Sequence, residues 1–91
     1  YNEMPLLYEA DGQAVYGFID RLVIGEKEIL LIDYKTHVHV TGETAKNKAE
    51  SFRQQMRLYR EGVQRIWPDH SIRSGVLFTA CAELVWLDEK H

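Results

Sequence analysis

Residues 14–36, AVYGFIDRLVIGEKEILLIDYKT, decide the fold, because they predict two long strands joined by a tight turn. Residues 14–24 and 28–36 are rich in β-branched and large apolar side chains, and the intervening GEKE supplies the connection. Both faces of the first strand are mostly apolar, so we expect that strand to be buried on both sides.

Three charged residues interrupt these apolar runs and require a physical explanation. Asp33 and Lys35 are two residues apart on one strand, so their side chains project from the same face. If the turn lies at the centre of GEKE, Leu22 faces Leu31, and Asp20 lies directly opposite Asp33. The hairpin would then gather two carboxylates and one ammonium group on one patch.

Such a patch is suited to metal-dependent chemistry. Two carboxylates about 4 Å apart repel by about 4 kcal/mol at an effective dielectric near 20, and a cation, a shared proton or Lys35 would relieve this. Mg²⁺ is usually bound by one or two carboxylates, with water and substrate phosphate filling the rest of its coordination shell. We therefore predict Asp20 and Asp33 as ligands of Mg²⁺, for which Mn²⁺ could substitute. A bound cation would activate water while Lys35 orients it, which predicts phosphodiester hydrolysis. The structural alternative is a simple buried salt bridge between Lys35 and Asp33.

The sequence before and after the hairpin predicts short strands and a loop. Residues 5–8 predict a short edge strand, because Pro5 cannot donate to a central ladder. The stretch from His37 to Lys46 has no apolar periodicity and predicts an exposed loop. Two further strands, 72–78 and 83–87, predict a hairpin that turns near Cys81.

A single long helix is predicted from about Lys48 to Trp67, ended by Pro68. Its apolar residues recur at steps of four and three, as expected for one buried helical face: Phe52, Met56, Tyr59, Val63 and Ile66. Gln55 lies just off this stripe and one turn from Tyr59, so the two side chains are neighbours on the helix surface.

The resulting architecture is an α/β (α+β) fold, a mixed sheet of about five strands with one long helix. One helix cannot cover both faces of such a sheet. We therefore expect residues 1–91 to form a single, partial domain that belongs to a larger protein.

Composition and charge narrow the functional class. The 91 residues include ten aromatic residues, eight Pro and Gly together and one cysteine, which excludes a disordered tail or a disulfide scaffold. We find neither an apolar run long enough to span a membrane nor a signal-peptide pattern in this sequence. We therefore expect no membrane partner and a cytoplasmic location. The net charge is -3, but residues 46–65 hold six basic and two acidic residues, or +4. The basic charge therefore falls on the predicted helix.

The ordered set of motifs resembles the PD-(D/E)xK nuclease superfamily. The match comprises Asp20 in GFID, Asp33 and Lys35 in DYKT, and Gln55 and Tyr59 in QMRLY. Each motif is weak alone, but the three together are specific. The arrangement is most similar to the RecB-like nuclease domain that ends AddA and RecB helicase-nucleases.

The resemblance implies a fold, a reaction and roles for these residues. It implies a restriction-endonuclease-like core and a DNA nuclease that releases 5′-phosphate ends during double-strand break repair and recombination. It implies that Asp20 and Asp33 bind the metal, that Lys35 serves the attacking water, and that Gln55 and Tyr59 support the site. It also implies DNA, the helicase portion of the same polypeptide and a partner subunit as partners.

Two alternatives remain open. The first is a non-catalytic module in which a nuclease-like fold docks DNA or contacts a subunit; the opposed charges of Asp20 and Asp33 argue against it. The second is a zinc-dependent hydrolase that uses His37 and His39, although no third ligand is evident in the sequence. Glu3 is a weak additional ligand candidate, from an E-x-P element near the first strand.

Overall fold

The computed structural model describes residues 1–36 and 40–87, which form a five-stranded sheet with two helices. The elements in chain order are β1 (Asn2–Ala10), β2 (Gln13–Ile24), β3 (Glu28–Lys35), α1 (Gly42–Glu50), α2 (Arg53–Ile66), β4 (Ser71–Phe78) and β5 (Glu83–Trp86). The strands are ordered β1-β2-β3-β4-β5; β3 and β4 are parallel, and the other neighbours are antiparallel. This is the predicted mixed sheet of an α+β fold, consistent with a restriction-endonuclease-like core.

The β2–β3 hairpin has the predicted register. Leu22 pairs with Leu31, and Ile24 pairs with Ile29. All four side chains are buried or half-buried, because they lie on the face of the sheet that the helices cover. The apolar pattern thus fixes the register, since a slip of one residue would turn this entire set toward solvent.

Parallel pairing of β3 with β4 requires a crossover connection, and α1 and α2 provide it. Helix α2 packs on β1, β2 and β4, and α1 packs near β5. The core lies between these helices and the sheet, and its largest fully buried side chains are Phe78, Ile19, Leu22, Ile29, Leu31, Met56, Val63 and Val76.

The opposite face of the sheet is exposed in the described part of the chain. Leu7 and Tyr16 are cross-strand partners with 71% and 65% of their surface exposed, and Phe18 is 51% exposed. The prediction that β2 is buried on both sides is therefore wrong for the described residues, because both helices pack on one face. The expectation of an uncovered sheet face agrees with these exposures.

The predicted loop from His37 to Lys46 contains the start of α1 instead, which is a correction. Thr41 is the N-cap residue, and its backbone N–H donates to Thr44 Oγ1 at 2.8 Å. Among the residues of α1 whose burial the structure describes, only Ala45 and Ala49, one turn apart, are buried. Two alanines make a weak apolar stripe, and threonine replaces the usual Glu or Gln at N3 of the capping box, so the sequence signal was faint.

The predicted single helix is also wrong, because the chain bends at Ser51 and Phe52 between α1 and α2. Ser51 N–H and Phe52 N–H donate to the carbonyl groups of Lys48 and Ala49, three residues earlier, at 3.1 and 3.0 Å. This tighter hydrogen bonding ends α1, and Phe52 becomes the N-cap residue of α2. Ile66, the last residue of the predicted apolar stripe, is 51% exposed.

The remaining predictions differ mainly at the ends of elements. β1 is longer than the predicted residues 5–8, and the β4–β5 turn includes Cys81, as expected. None of the helices in the described residues is long and apolar enough to cross a membrane.

Candidate active site

The candidate site begins on β3, where a buried apolar row ends in two charged residues. Ile29, Leu31 and Asp33 alternate along the strand and are buried on the helix-covered face. Lys35 follows on that face and is half-buried. The same alternation that builds the core therefore carries the Asp33 carboxylate into the interior, where only 5% of that residue is exposed.

Asp20 lies on β2 where the ladder to β3 stops. The paired residues end at Arg21 and Ile32, one step short of the predicted pairing of Asp20 with Asp33. The Asp20 carboxylate instead accepts the Tyr34 backbone N–H through Oδ2 at 2.8 Å. The Asp20 side chain thus accepts the hydrogen bond that a backbone carbonyl would accept if the ladder continued. Asp20 remains beside Asp33.

Asp33 is an electrostatically strained carboxylate. Burial raises its pKa above the ordinary value, the Lys35 ammonium opposes this shift, and the neighbouring Asp20 carboxylate adds to it. Asp33 Oδ2 forms an ion pair with Lys35 Nζ at 2.9 Å. Apart from this ammonium group, no donor among the described residues is hydrogen-bonded to the buried oxygen. Its environment would favour a cation.

Lys35 connects the carboxylates to helix α2. Its Nζ donates to Gln55 Oε1 at 3.3 Å and lies 4.3 Å from the centroid of the Phe52 ring. Gln55 Nε2 in turn donates to the Tyr59 hydroxyl at 3.2 Å. A continuous polar chain therefore runs from the buried carboxylate of Asp33 to α2.

Tyr59 is held by contact with β2. A Cβ atom added at Gly17 would lie 2.5 Å from the Tyr59 hydroxyl oxygen. A glycine inside a strand permits the close approach of another group, and here that group is the Tyr59 ring. The absence of a side chain at position 17 leaves the space in which Tyr59 meets Gln55.

The structure thus brings together the five predicted site residues, Asp20, Asp33, Lys35, Gln55 and Tyr59. It gathers two carboxylates rather than a complete ligand cage: within residues 1–36 and 40–87, no three His, Cys, Asp or Glu side chains form a metal-binding group. Two neighbouring carboxylates, one of them buried, fit Mg²⁺, which usually retains water and substrate phosphate in its shell. Asp20 and Asp33 would hold such an ion.

Glu3 lies near this site rather than within the carboxylate pair. Glu3, Phe18 and Asp20 line a shallow cavity of about 360 Å³. The Glu3 backbone has φ 52°, a left-handed conformation that is uncommon outside glycine. The geometry therefore places Glu3 beside Asp20 without making it a member of a three-carboxylate group.

The arginines of α2 form a surface separate from the polar chain of Lys35. Arg53 forms an ion pair with Glu50 at 2.7 Å, and Arg65 donates to the Glu9 carbonyl at 2.9 Å. Arg57 and Arg60 line a cavity of about 300 Å³ with Glu61 and Gln64. Part of the basic charge predicted for this segment is therefore engaged in contacts within the fold.

Three other sequence candidates have simpler outcomes. His37 and His39 lie outside the described residues, so the zinc hypothesis stays a prediction. Cys81 is a free, half-buried thiol whose sulfur lies 3.8 Å from the Phe78 carbonyl oxygen.

Comparison with known families agrees with this geometry. The family model described as PD-(D/E)XK nuclease superfamily matches residues 2–85. The chain therefore belongs to the PD-(D/E)XK nuclease superfamily. Comparison with curated proteins and with solved structures gives no match.

The sequence reasoning missed the role of Phe52 at this site. We assigned Phe52 to the apolar helix stripe, because its spacing to Met56 is helical. The ring packs against the core as expected, and it also contacts the ammonium group of Lys35. Only the adjacent Ser51, an unfavourable residue within a helix, gave a weak signal of the bend.

Proposed function

We propose that this protein hydrolyses phosphodiester bonds of DNA with a divalent metal, Mg²⁺ or Mn²⁺, held by Asp20 and Asp33. The single observation that carries the proposal is the buried Asp33 carboxylate, which lies between the Asp20 carboxylate and the Lys35 ammonium group and has its pKa raised by burial. A buried carboxylate beside a second carboxylate destabilises a fold, so its presence in a chain of the nuclease superfamily supports a catalytic use.

Each residue has a distinct task in this proposal. When bound, the metal would polarise a phosphoryl oxygen and lower the pKa of a bound water. The Lys35 ammonium would orient the attacking water and stabilise negative charge that develops on the phosphate. Gln55 accepts a hydrogen bond from Lys35, and Tyr59 accepts one from Gln55, so both would position the lysine.

The biological setting that we propose rests on the similarity to RecB-like domains. The domain would act within a helicase-nuclease during double-strand break repair, with DNA and a partner subunit as its contacts and the cytoplasm as its location. The products would carry 5′-phosphate ends. The competing proposal, a non-catalytic docking module, lacks a specific supporting observation and does not account for the charge cost at Asp33.

The test is metal-dependent cleavage of labelled DNA by the full-length protein that contains this chain. Asp33→Ala and Lys35→Ala should each lower the cleavage rate by at least 100-fold, the lower range for general acid–base catalysis. Asp69→Asn is the matched control, because Asp69 is an exposed aspartate away from the site. It lies two residues before Ser71, which pairs with Glu28 at the end of β3 opposite to Lys35.

A second measurement separates chemistry from folding. Mn²⁺ binding, followed by electron paramagnetic resonance, should weaken in Asp20→Asn and Asp33→Asn and remain unchanged in Asp69→Asn. Circular dichroism should show folded protein for each variant. Full cleavage by Asp33→Ala and Lys35→Ala would refute the assigned site, and DNA binding without cleavage by the wild type would favour the docking module.

A further inference from the structure

The aromatic ring of Phe52 contacts the ammonium group of Lys35. Lys35 Nζ lies 4.3 Å from the ring centroid, within the range of a cation–π interaction. Lys48 Nζ lies farther away, at 5.8 Å. Because the attraction falls with distance, Lys35 is the principal cation on this ring.

The bend between α1 and α2 places the ring at this position. Phe52 is the N-cap residue of α2, with φ -101° and ψ 2°, and its carbonyl accepts the Met56 N–H at 3.0 Å. The Phe78 ring of β4 packs against Phe52 with centroids 6.5 Å apart. Backbone hydrogen bonds and this buried partner therefore fix the orientation of the Phe52 ring.

Lys35 needs such a fixed neighbour. Its ammonium group ends a flexible four-carbon chain and is held by the Asp33 carboxylate and by Gln55 Oε1. The ion pair with Asp33 is short at 2.9 Å, but the contact with Gln55 is long at 3.3 Å. The Phe52 ring adds a third contact that restricts the position of the ammonium group.

We propose that Phe52 is a positioning residue whose ring face holds the Lys35 ammonium group at the site of DNA hydrolysis. This inference rests on the proposed function, because it concerns the lysine assigned to the attacking water. Phe52 would act through Lys35, so we assign it a positioning role and not a catalytic one.

The test compares two substitutions that differ in the π face and retain an apolar side chain. Phe52→Leu removes the ring, whereas Phe52→Tyr keeps it, and the half-buried position allows the added hydroxyl to reach water. In full-length protein, Phe52→Leu should lower kcat roughly five- to thirtyfold, the equivalent of about 1–2 kcal/mol, with KM for DNA within twofold. Phe52→Tyr should keep kcat within twofold of the wild type.

Nuclear magnetic resonance provides a readout that does not depend on activity. The ring current should displace the side-chain resonances of Lys35, which are assigned by their loss in Lys35→Ala. Phe52→Leu should return these resonances toward random-coil values, and Phe52→Tyr should leave them displaced.

Each contrary result identifies what fails. Equal losses of kcat in Phe52→Leu and Phe52→Tyr would show a packing role and overturn the proposal, as would an unchanged kcat or unmoved Lys35 resonances in Phe52→Leu. If Lys35→Ala abolishes cleavage while Phe52→Leu does not impair it, only this inference fails. If Lys35→Ala cleaves normally, the proposed function of Lys35 fails first, and this inference fails with it.

Discussion

Tyr59 packs on Gly17 so closely that a Cβ atom at position 17 would stand 2.5 Å from the Tyr59 hydroxyl and 2.8 Å from its ring carbon Cε1. These two residues join α2 to β2. Tyr59 also belongs to the polar chain, because its hydroxyl accepts a hydrogen bond from Gln55, which in turn contacts Lys35. The contact couples the packing of the fold to the geometry of the candidate site.

Gly17→Ala should therefore reduce both stability and activity. The buried Tyr59 ring must move away from the new methyl group, which should cost about 1–3 kcal/mol of unfolding free energy and lengthen the 3.2 Å contact with Gln55. Denaturant unfolding measures the first effect, and the cleavage rate measures the second.

Two variants act as controls for Gly17→Ala. Adding Tyr59→Phe should recover part of the lost stability, because it removes the closest of the clashing atoms. Gly62→Ala introduces a similar clash, 2.7 Å from Tyr8, but on the side of α2 that packs on β1. Gly62→Ala should destabilise the fold without slowing cleavage by folded protein. If Gly17→Ala were as stable as the wild type, the close contact between Gly17 and Tyr59 would be contradicted.

Asp33→Asn should stabilise the metal-free protein at pH 7 by about 1 kcal/mol while abolishing cleavage. The folded state holds the Asp33 proton more tightly than the unfolded chain, because its pKa is raised. Wild-type stability therefore falls as pH rises from about 3.9 through the raised pKa. Thermal unfolding should show that Asp33→Asn is more stable than the wild type at pH 7, and that this difference disappears below about pH 4. A variant less stable than the wild type at pH 7 would contradict the raised pKa of Asp33.

Asp20→Asn should lower the pKa of Asp33 toward its ordinary value. The Asp20 carboxylate is one cause of the raised pKa, although burial is the larger one, so the shift should be partial. Titration of the Asp33 carboxyl carbon by nuclear magnetic resonance measures this change. Lys35→Ala should move the pKa of Asp33 in the opposite direction, and equal shifts in both variants would be inconsistent with the geometry.

Tyr8→Phe should destabilise the fold without affecting cleavage. The Tyr8 hydroxyl donates to the Leu58 carbonyl, and burial and then Glu61 raise the pKa of Tyr8. Loss of this hydrogen bond should cost about 1 kcal/mol near neutral pH. Because the folded state favours the protonated phenol, the difference between wild type and variant should shrink above about pH 10. Urea unfolding at pH 7 and pH 10.5 provides the measurement.

The strands and the candidate residues could be predicted because their signals are local. The apolar run of β3 and the short connection after β2 are sufficient to pair Leu22 with Leu31. Alternation along β3 then places Asp33 and Lys35 on one face. Charged residues in a buried strand are costly, so the sequence itself marks them for a function.

The helical connection was harder to predict because its signals are weak or depend on distant partners. Helix α1 buries two alanines, which contribute little to an apolar pattern. Phe52 continues the helical spacing of Met56, yet the chain bends there, since the ring packs on Phe78 and contacts Lys35. Both partners are more than fifteen residues away in the chain, so no local rule could assign them.

The sequence by itself determined the hairpin register, the face that carries Asp33 and the identity of the charged residues, because strand periodicity and side-chain chemistry are properties of neighbouring residues. Tertiary structure alone decided that the Asp20 carboxylate accepts the Tyr34 N–H, that Lys35 contacts Gln55 as well as Asp33 and that the Phe52 ring contacts Lys35. Those features depend on distances between separate elements, which are set only when the helices pack on the sheet.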